Sequence, residues 1–200
     1  MNFIPNYFYH IYNRGNNSEN IFELPENYNY FLKKFNEHLS DLVDVFSYCL
    51  LPNHFHFLIK IKDYEKNLPG FENREGLEQL QRNPVSQAFS NFFNGYTKAF
   101  NKQQDRRGSL FQKNFKSKNI NREDYLVKII YYLHINPVHH NISNNFENYK
   151  YSSYISIISN KPTKVSRDKV VDLFGDKEKF IEFHRMRYEE MNNISSYFLE

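Results

Sequence analysis

Cysteine is nearly absent from this chain of 200 residues: Cys49 stands alone, so no intramolecular disulfide can form and a four-cysteine zinc site is excluded. A reducing cytoplasm is the expected location. Long apolar runs are missing too. Nowhere do 18 apolar residues follow one another, and the opening MNFIPNYFYH has no basic stretch leading into an apolar core, so neither membrane spanning nor export is expected. Nor is there a large excess of one charge, with 26 Lys and Arg against 23 Asp and Glu for a net charge of +3. That balance permits a nucleic-acid partner without arguing for one. Internal repeats and low-complexity tracts are also lacking, so a repeat architecture is not expected.

What is plentiful is aromatic bulk. Phe and Tyr number 20 and 16, and 40% of residues are hydrophobic, a composition that packs a self-sufficient core. Charge is uneven along the chain. Lys98, Lys102, Arg106, Arg107, Lys113, Lys116, Lys118 and Arg122 stand against a single acid in the stretch, Asp105. Such a run is either a phosphate track or a solvated surface.

Periodicity and turn chemistry divide the chain. YFYHIYNRGNN (7–17) reads as a strand ending in a turn. From Pro25 to about Leu42, the spacing of Tyr28, Phe31, Leu32, Phe35 and Leu39 predicts a helix. Residues 43–61 read as a hairpin broken at Leu51-Pro52-Asn53. The charged stretch 63–82 reads as a surface loop. Asn83 and Pro84 then cap a helix carrying Val85, Phe89, Phe92, Phe93, Tyr96 and Phe100 on one stripe. GSLFQKNFKSKNI (108–120) is a strand or extended basic segment. A last core helix runs from 122 to about 135, where Asn136-Pro137 disfavours continuation. Two further helical patterns, Arg167 to Phe174 and Asp176 to Met191, follow in the tail. The expected organisation is one domain over 1–160 and a helical appendage over 161–200. The expected class is α+β, a ferredoxin-like or RRM-like antiparallel sheet with helices on one face and the functional site on the open face.

Within LPNHFHFLIK, alternation puts His54, His56, Leu58 and Lys60 on one side of a strand and Phe55, Phe57, Ile59 and Ile61 on the other. Two imidazoles so placed stand close enough to share one ion. The spacing alone is weak, because eight histidines in 200 residues give about 0.3 His-x-His pairs by chance. A metal site and a pair of satisfied polar side chains both remain open. In the last core helix Leu126, Ile129, Ile130 and Leu133 form the buried stripe, while Tyr125, Tyr132 and Asn136 follow a neighbouring line. By pattern, that line could equally be a polar border.

Taken together, NRGNN, LPNHFHFLIK, GSLFQKNFKS, YLVKIIYYLHINPV and NYKYSSY resemble, in this order, the REP-associated tyrosine transposases, which belong to the single-tyrosine HUH transposases. The resemblance runs from about Tyr7 to Tyr154. It implies that His54 and His56 are the metal ligands and that Tyr132, four residues before the Asn-Pro pair, is the nucleophile. It further implies a third, amide-type ligand in Asn136 and DNA contacts at Arg14, Lys113 and Lys116. Where family members continue Asn-Pro-Val with Arg-Ala-Gly, this chain has His139, His140 and Asn141, so no DNA contact carries over there.

The function implied is that of a DNA transposase, a single-strand endonuclease and strand transferase. Mg²⁺ or Mn²⁺ is the expected cofactor, and single-stranded DNA with hairpin elements the expected partner. Relatives include monomers and homodimers, so both states stay open. Three rival readings are weighed beside it: a non-catalytic single-stranded nucleic-acid-binding module, a metal hydrolase with water as nucleophile, and a decayed or domesticated copy.

Overall fold

The computed structural model describes residues 2–63 and 83–197. The loop expected over 63–82 lies outside the described residues, apart from Asp63. Strand β1, Phe8–Arg14, directs Tyr9, Ile11 and Asn13 to one face and His10, Tyr12 and Arg14 to the other. Helix α1, Pro25–Leu39, starts on a first-turn proline. Asn27 Oδ1 accepts from the backbone N–H groups of Glu23 and Leu24, at 3.0 and 2.9 Å, and so fixes the entry angle. The helix stops at Leu39 rather than near Leu42, because a turn closed by Leu42 N–H on Leu39 C=O leads straight into the next strand.

Strands β2, Val43–Leu51, and β3, His54–Ile61, form the hairpin around Pro52-Asn53. A bulge between Val45 and Ser47 admits Phe46 as an extra residue. Helix α2, Pro84–Gln103, is capped by Asn83, whose Oδ1 accepts from Val85 and Ser86 N–H. Such a cap contributes about 1 kcal/mol. Strand β4, Lys116–Ile120, takes up only the second half of the basic segment. The first half is a loop tied to the end of β1 by Asn16 N–H to Leu110 C=O and Gln112 N–H to Arg14 C=O. Gly15 is required at this junction, since a Cβ there would collide with the Glu19 carbonyl oxygen.

The sheet is antiparallel throughout, in the order β2-β3-β1-β4. With α1 and α2 as connections, this is the ferredoxin-like βαββαβ arrangement, and the α+β class stands. Behind the sheet, Phe31, Phe35 and Phe92 of α1 and α2 meet Phe55 and Phe57 of β3 in an aromatic core. The Phe31 ring, fully buried, lies 4.7 Å from Phe92, 4.8 Å from Tyr96 and 5.2 Å from Phe55.

The helices are not all on that face. Helix α3, Glu123–His139, crosses the opposite, histidine-bearing side, where Leu126, Ile129, Ile130 and Leu133 pack on Phe46, Leu58 and Ile120. The expectation of one covered and one open face is corrected accordingly. Beyond the histidines, the strands present apolar side chains on this side as well, and the stripe of α3 buries against them. The expected stop before Pro137 is also corrected. Pro137 lies in the last turn, where the lost hydrogen bond is offset by burial of Ile135, Asn136 and Pro137. The terminator is Asn141, at φ 54°. Asn141 N–H bonds Val138 C=O, and Ile142 N–H bonds Pro137 C=O, the two bonds of a Schellman motif.

Helices α4, Tyr154–Ile158, α5, Arg167–Phe174, and α6, Lys177–Tyr197, follow. Val165, Val170 and Phe180 from this part are buried in the same cluster as the α3 stripe. Among the described residues, no helix is long and apolar enough to cross a membrane.

Candidate active site

The pairing of β1 with β3 sets Tyr12 opposite His56 and Arg14 opposite His54, so one sheet face carries all four side chains with His10. Antiparallel pairing of β1 with β4 brings Lys116 opposite Tyr12. Helix α3 then lays Tyr132 across this surface. Tyr12, Arg14, His54, His56, Lys116 and Tyr132, together with Asn13, Gln112 and His140, line a cleft of about 250 Å³.

The two hairpin histidines are held differently. His54 Nδ1 donates to Asn53 Oδ1 at 2.6 Å, which places its proton on Nδ1 and leaves Nε2 with a lone pair. His56 Nδ1 lies 2.9 Å from Nε2 of His10. Both His54 and His56 are buried, 8% and 7% exposed, rather than standing on an open face. Burial, followed by the proximity of His140 and Arg14, lowers the His54 pKa to about 4. Burial lowers that of His56 well below the ordinary value, with His10, His54 and His140 adding to it. His10 falls to about 4 through burial and then Lys118. At neutral pH all three rings are therefore uncharged, the state in which imidazole ligates metal.

Three tyrosines of α3 are separated by the helix. Tyr132, 37% exposed, lines the cleft, its ring centroid 6.0 Å from that of His56 and 6.4 Å from that of His10. Tyr131 faces away, packing on Phe183 and His184 of α6. Burial raises its pKa to about 12, and its hydroxyl is buried without a partner. Tyr125 sits beside Lys118, with 3.4 Å between Nζ and the hydroxyl.

Of the remaining sequence-derived candidates, Arg14 and Lys116 line the cleft, the latter with Nζ 5.9 Å from the Tyr12 ring centroid. Lys113 does not; it lines a neighbouring groove between α2 and residues 109–115. Asn136 is fully buried and donates through Nδ2 to the Tyr132 carbonyl at 2.6 Å, while its Oδ1 is buried without a hydrogen-bond partner. It is not among the side chains that line the cleft. Two members of the basic run are engaged elsewhere: Arg106 pairs with Glu19 at 2.7 Å and Arg122 with Asp124 at 2.8 Å.

Among the described residues, no group of three or more His, Cys, Asp or Glu is arranged to hold a metal. The donors at hand are two neutral imidazoles in the cleft and, outside its lining, the orphaned amide oxygen of Asn136. Neutral imidazole and amide oxygen are both ligand types for divalent ions, so the donor chemistry does not exclude such an ion.

Sequence reasoning overlooked His10, Tyr12, Gln112 and His140. Alternation along β1 already puts His10, Tyr12 and Arg14 on one face, but only the strand order brings that face beside His54 and His56. The His140 ring, centroid 4.6 Å from that of His54, comes from the turn after α3.

No protein-family model and no curated protein matches the sequence. Among solved structures, a REP-associated tyrosine transposase bound to a REP hairpin superposes with a TM-score of 0.55 and 17% identity, over 81% of this chain and 86% of that one. At that identity the likeness carries the architecture: the chain has the fold of a REP-associated tyrosine transposase.

Proposed function

We propose that this protein is a single-tyrosine transposase that nicks and rejoins single-stranded DNA bearing a hairpin. The observation that carries the reading is that Tyr132, alone of the α3 tyrosines discussed, shares a cleft with His54 and His56. The DNA backbone would enter the cleft beside Arg14 and Lys116, whose charges complement a phosphate. A divalent ion held by His54, His56 and Asn136 would polarise the phosphate and offset the charge that builds on its oxygens. Tyr132 Oη gives up its proton to solvent as it attacks phosphorus, the bond to the 3′ oxygen breaks, and that oxygen takes a proton from solvent and departs as a 3′-hydroxyl. The 5′ phosphate stays esterified to Tyr132, so the bond energy is retained for rejoining to a second 3′-hydroxyl without ATP. Tyr12 and Tyr132 offer aromatic faces for unpaired bases.

The test is incubation with 5′- and 3′-labelled single-stranded DNA from a hairpin library in Mn²⁺, resolved on denaturing gels. A protein band carrying the DNA on the 3′ side of the nick, with a released 3′-hydroxyl strand, is the expected outcome. Cleavage without adduct would mean water as nucleophile, and binding without cleavage would mean a recognition module.

A further inference from the structure

We infer that His10 is a positioning residue for His56: it accepts a hydrogen bond from His56 Nδ1 and thereby fixes the ring tautomer whose Nε2 keeps its lone pair. The inference deepens the proposed metal site and rests on that reading.

The contact joins neighbouring strands diagonally, since His10 is opposite Leu58 and Tyr12 is opposite His56. His10 Nε2 and His56 Nδ1 are 2.9 Å apart, and both residues are only 7% exposed. Their rings and that of Tyr12 lie nearly parallel, with interplanar angles of 28° for His10 and Tyr12, 23° for His10 and His56, and 24° for Tyr12 and His56, as an in-plane hydrogen bond between the two imidazoles requires. A ring flip of His56 would replace Nδ1 by carbon at this contact and break it.

One proton lies between two neutral imidazole nitrogens. If His10 donated it, His56 would carry its own proton on Nε2 and have no lone pair left to offer. If His56 donates, its Nε2 is bare, and the pattern matches that of His54, whose Nδ1 proton is committed to Asn53 Oδ1 at 2.6 Å. Each hairpin histidine then has an acceptor on its Nδ1 side, Asn53 for one and His10 for the other. Metal-binding histidines are oriented and made more basic by such an outer acceptor, and losing it costs 10–100-fold in metal affinity.

The test has two readouts, neither of them cleavage. In the metal-free wild-type protein, ¹⁵N-resolved spectra of the histidine rings should show His56 protonated on Nδ1. Calorimetric titration with Mn²⁺ should show affinity reduced about 10–100-fold in His10→Phe, which keeps a ring but lacks an acceptor. His10→Gln, which can accept through Oε1, should recover to within a few-fold of wild type. His56 protonated on Nε2 in the wild type would overturn the inference, as would Mn²⁺ affinity unchanged in His10→Phe. Should His10→Phe fail to fold, the wild-type spectrum and the His10→Gln titration still decide. A wild-type protein that binds no Mn²⁺ would overturn the metal site itself, whereas the tautomer spectrum judges His10 separately.

Discussion

Replacing His184 by Phe should remove part of the acid sensitivity of the fold. His184 on α6 and His134 on α3 are fully buried, with His134 Nδ1 2.9 Å from His184 Nε2. His184 Nδ1 donates to the Phe180 carbonyl at 2.8 Å, so its Nε2 must accept from His134 Nδ1. His134 Nε2 in turn accepts from Ser153 at 2.8 Å or Ser47 at 3.1 Å. Every ring proton of this neutral chain has an acceptor, and both rings lie out of reach of water. Burial accordingly lowers the His184 pKa to about 4 and that of His134 well below the ordinary range. An unfolded histidine titrates near 6.5. A depressed folded pKa means that stability is complete above about pH 6.5 and is lost as pH falls toward 4, where the unfolded chain binds protons that the fold refuses. For His184 the loss by pH 4 is about 3 kcal/mol, from roughly 2.5 pKa units at 1.36 kcal/mol each. At pH 7.5, His184→Phe leaves the His134 Nδ1 proton unsatisfied and should cost about 1–3 kcal/mol. Urea unfolding from pH 8 to 4 should therefore show the variant less stable at the upper end and equal to or above the wild type at the lower end. A stability difference that stays constant across the range would refute the reasoning.

His54→Ala and His56→Ala should each reduce cleavage at least about 100-fold while sparing DNA binding within a few-fold, as measured by nicking and filter binding; full activity in both would remove the metal assignment. Lys116→Ala should lower the slope of log affinity against log salt by about 0.7, the value for one phosphate contact on a single strand, and Lys113→Ala combined with it by about 1.4. An unchanged slope would make both lysines solvated surface. Phe31→Ala, deleting a fully buried ring at the centre of the aromatic core, should cost about 3–5 kcal/mol by thermal or urea unfolding.

The strands, the hairpin and the α2 start were legible because alternation, Pro52-Asn53 and the Asn83-Pro84 cap act over a few residues. Helix α3 was legible as a helix but not in its placement. Almost every residue of β3 is buried, so both faces can receive a helix, and nothing local says which one does. Its end was misread because Pro137 is the louder signal, whereas the Schellman closure at Asn141 depends on a positive φ at an asparagine. Helix α4, at five residues, is too short to show a period. For the site, His54, His56 and Tyr132 stand out by motif. Their partners do not: His10 is 46 residues from His56, and His184 is 50 from His134, contacts that exist only once strand order and helix packing are known.

The identity of the nucleophile is the point on which the proposed chemistry turns, and two adjacent tyrosines make it decidable. Wild type, Tyr132→Phe, Tyr131→Phe and Tyr125→Phe should be incubated with cleavable hairpin-bearing single-stranded DNA and Mn²⁺, then run under denaturing conditions. Each change removes one oxygen. Of these three tyrosines of α3, only Tyr132 lies in the cleft with the histidines, whereas Tyr131 packs against α6 and Tyr125 sits beside Lys118. The expected result is a DNA-linked protein band in the wild type, Tyr131→Phe and Tyr125→Phe, and none in Tyr132→Phe. A band that persists in Tyr132→Phe, or that vanishes only in Tyr131→Phe, would contradict the assignment.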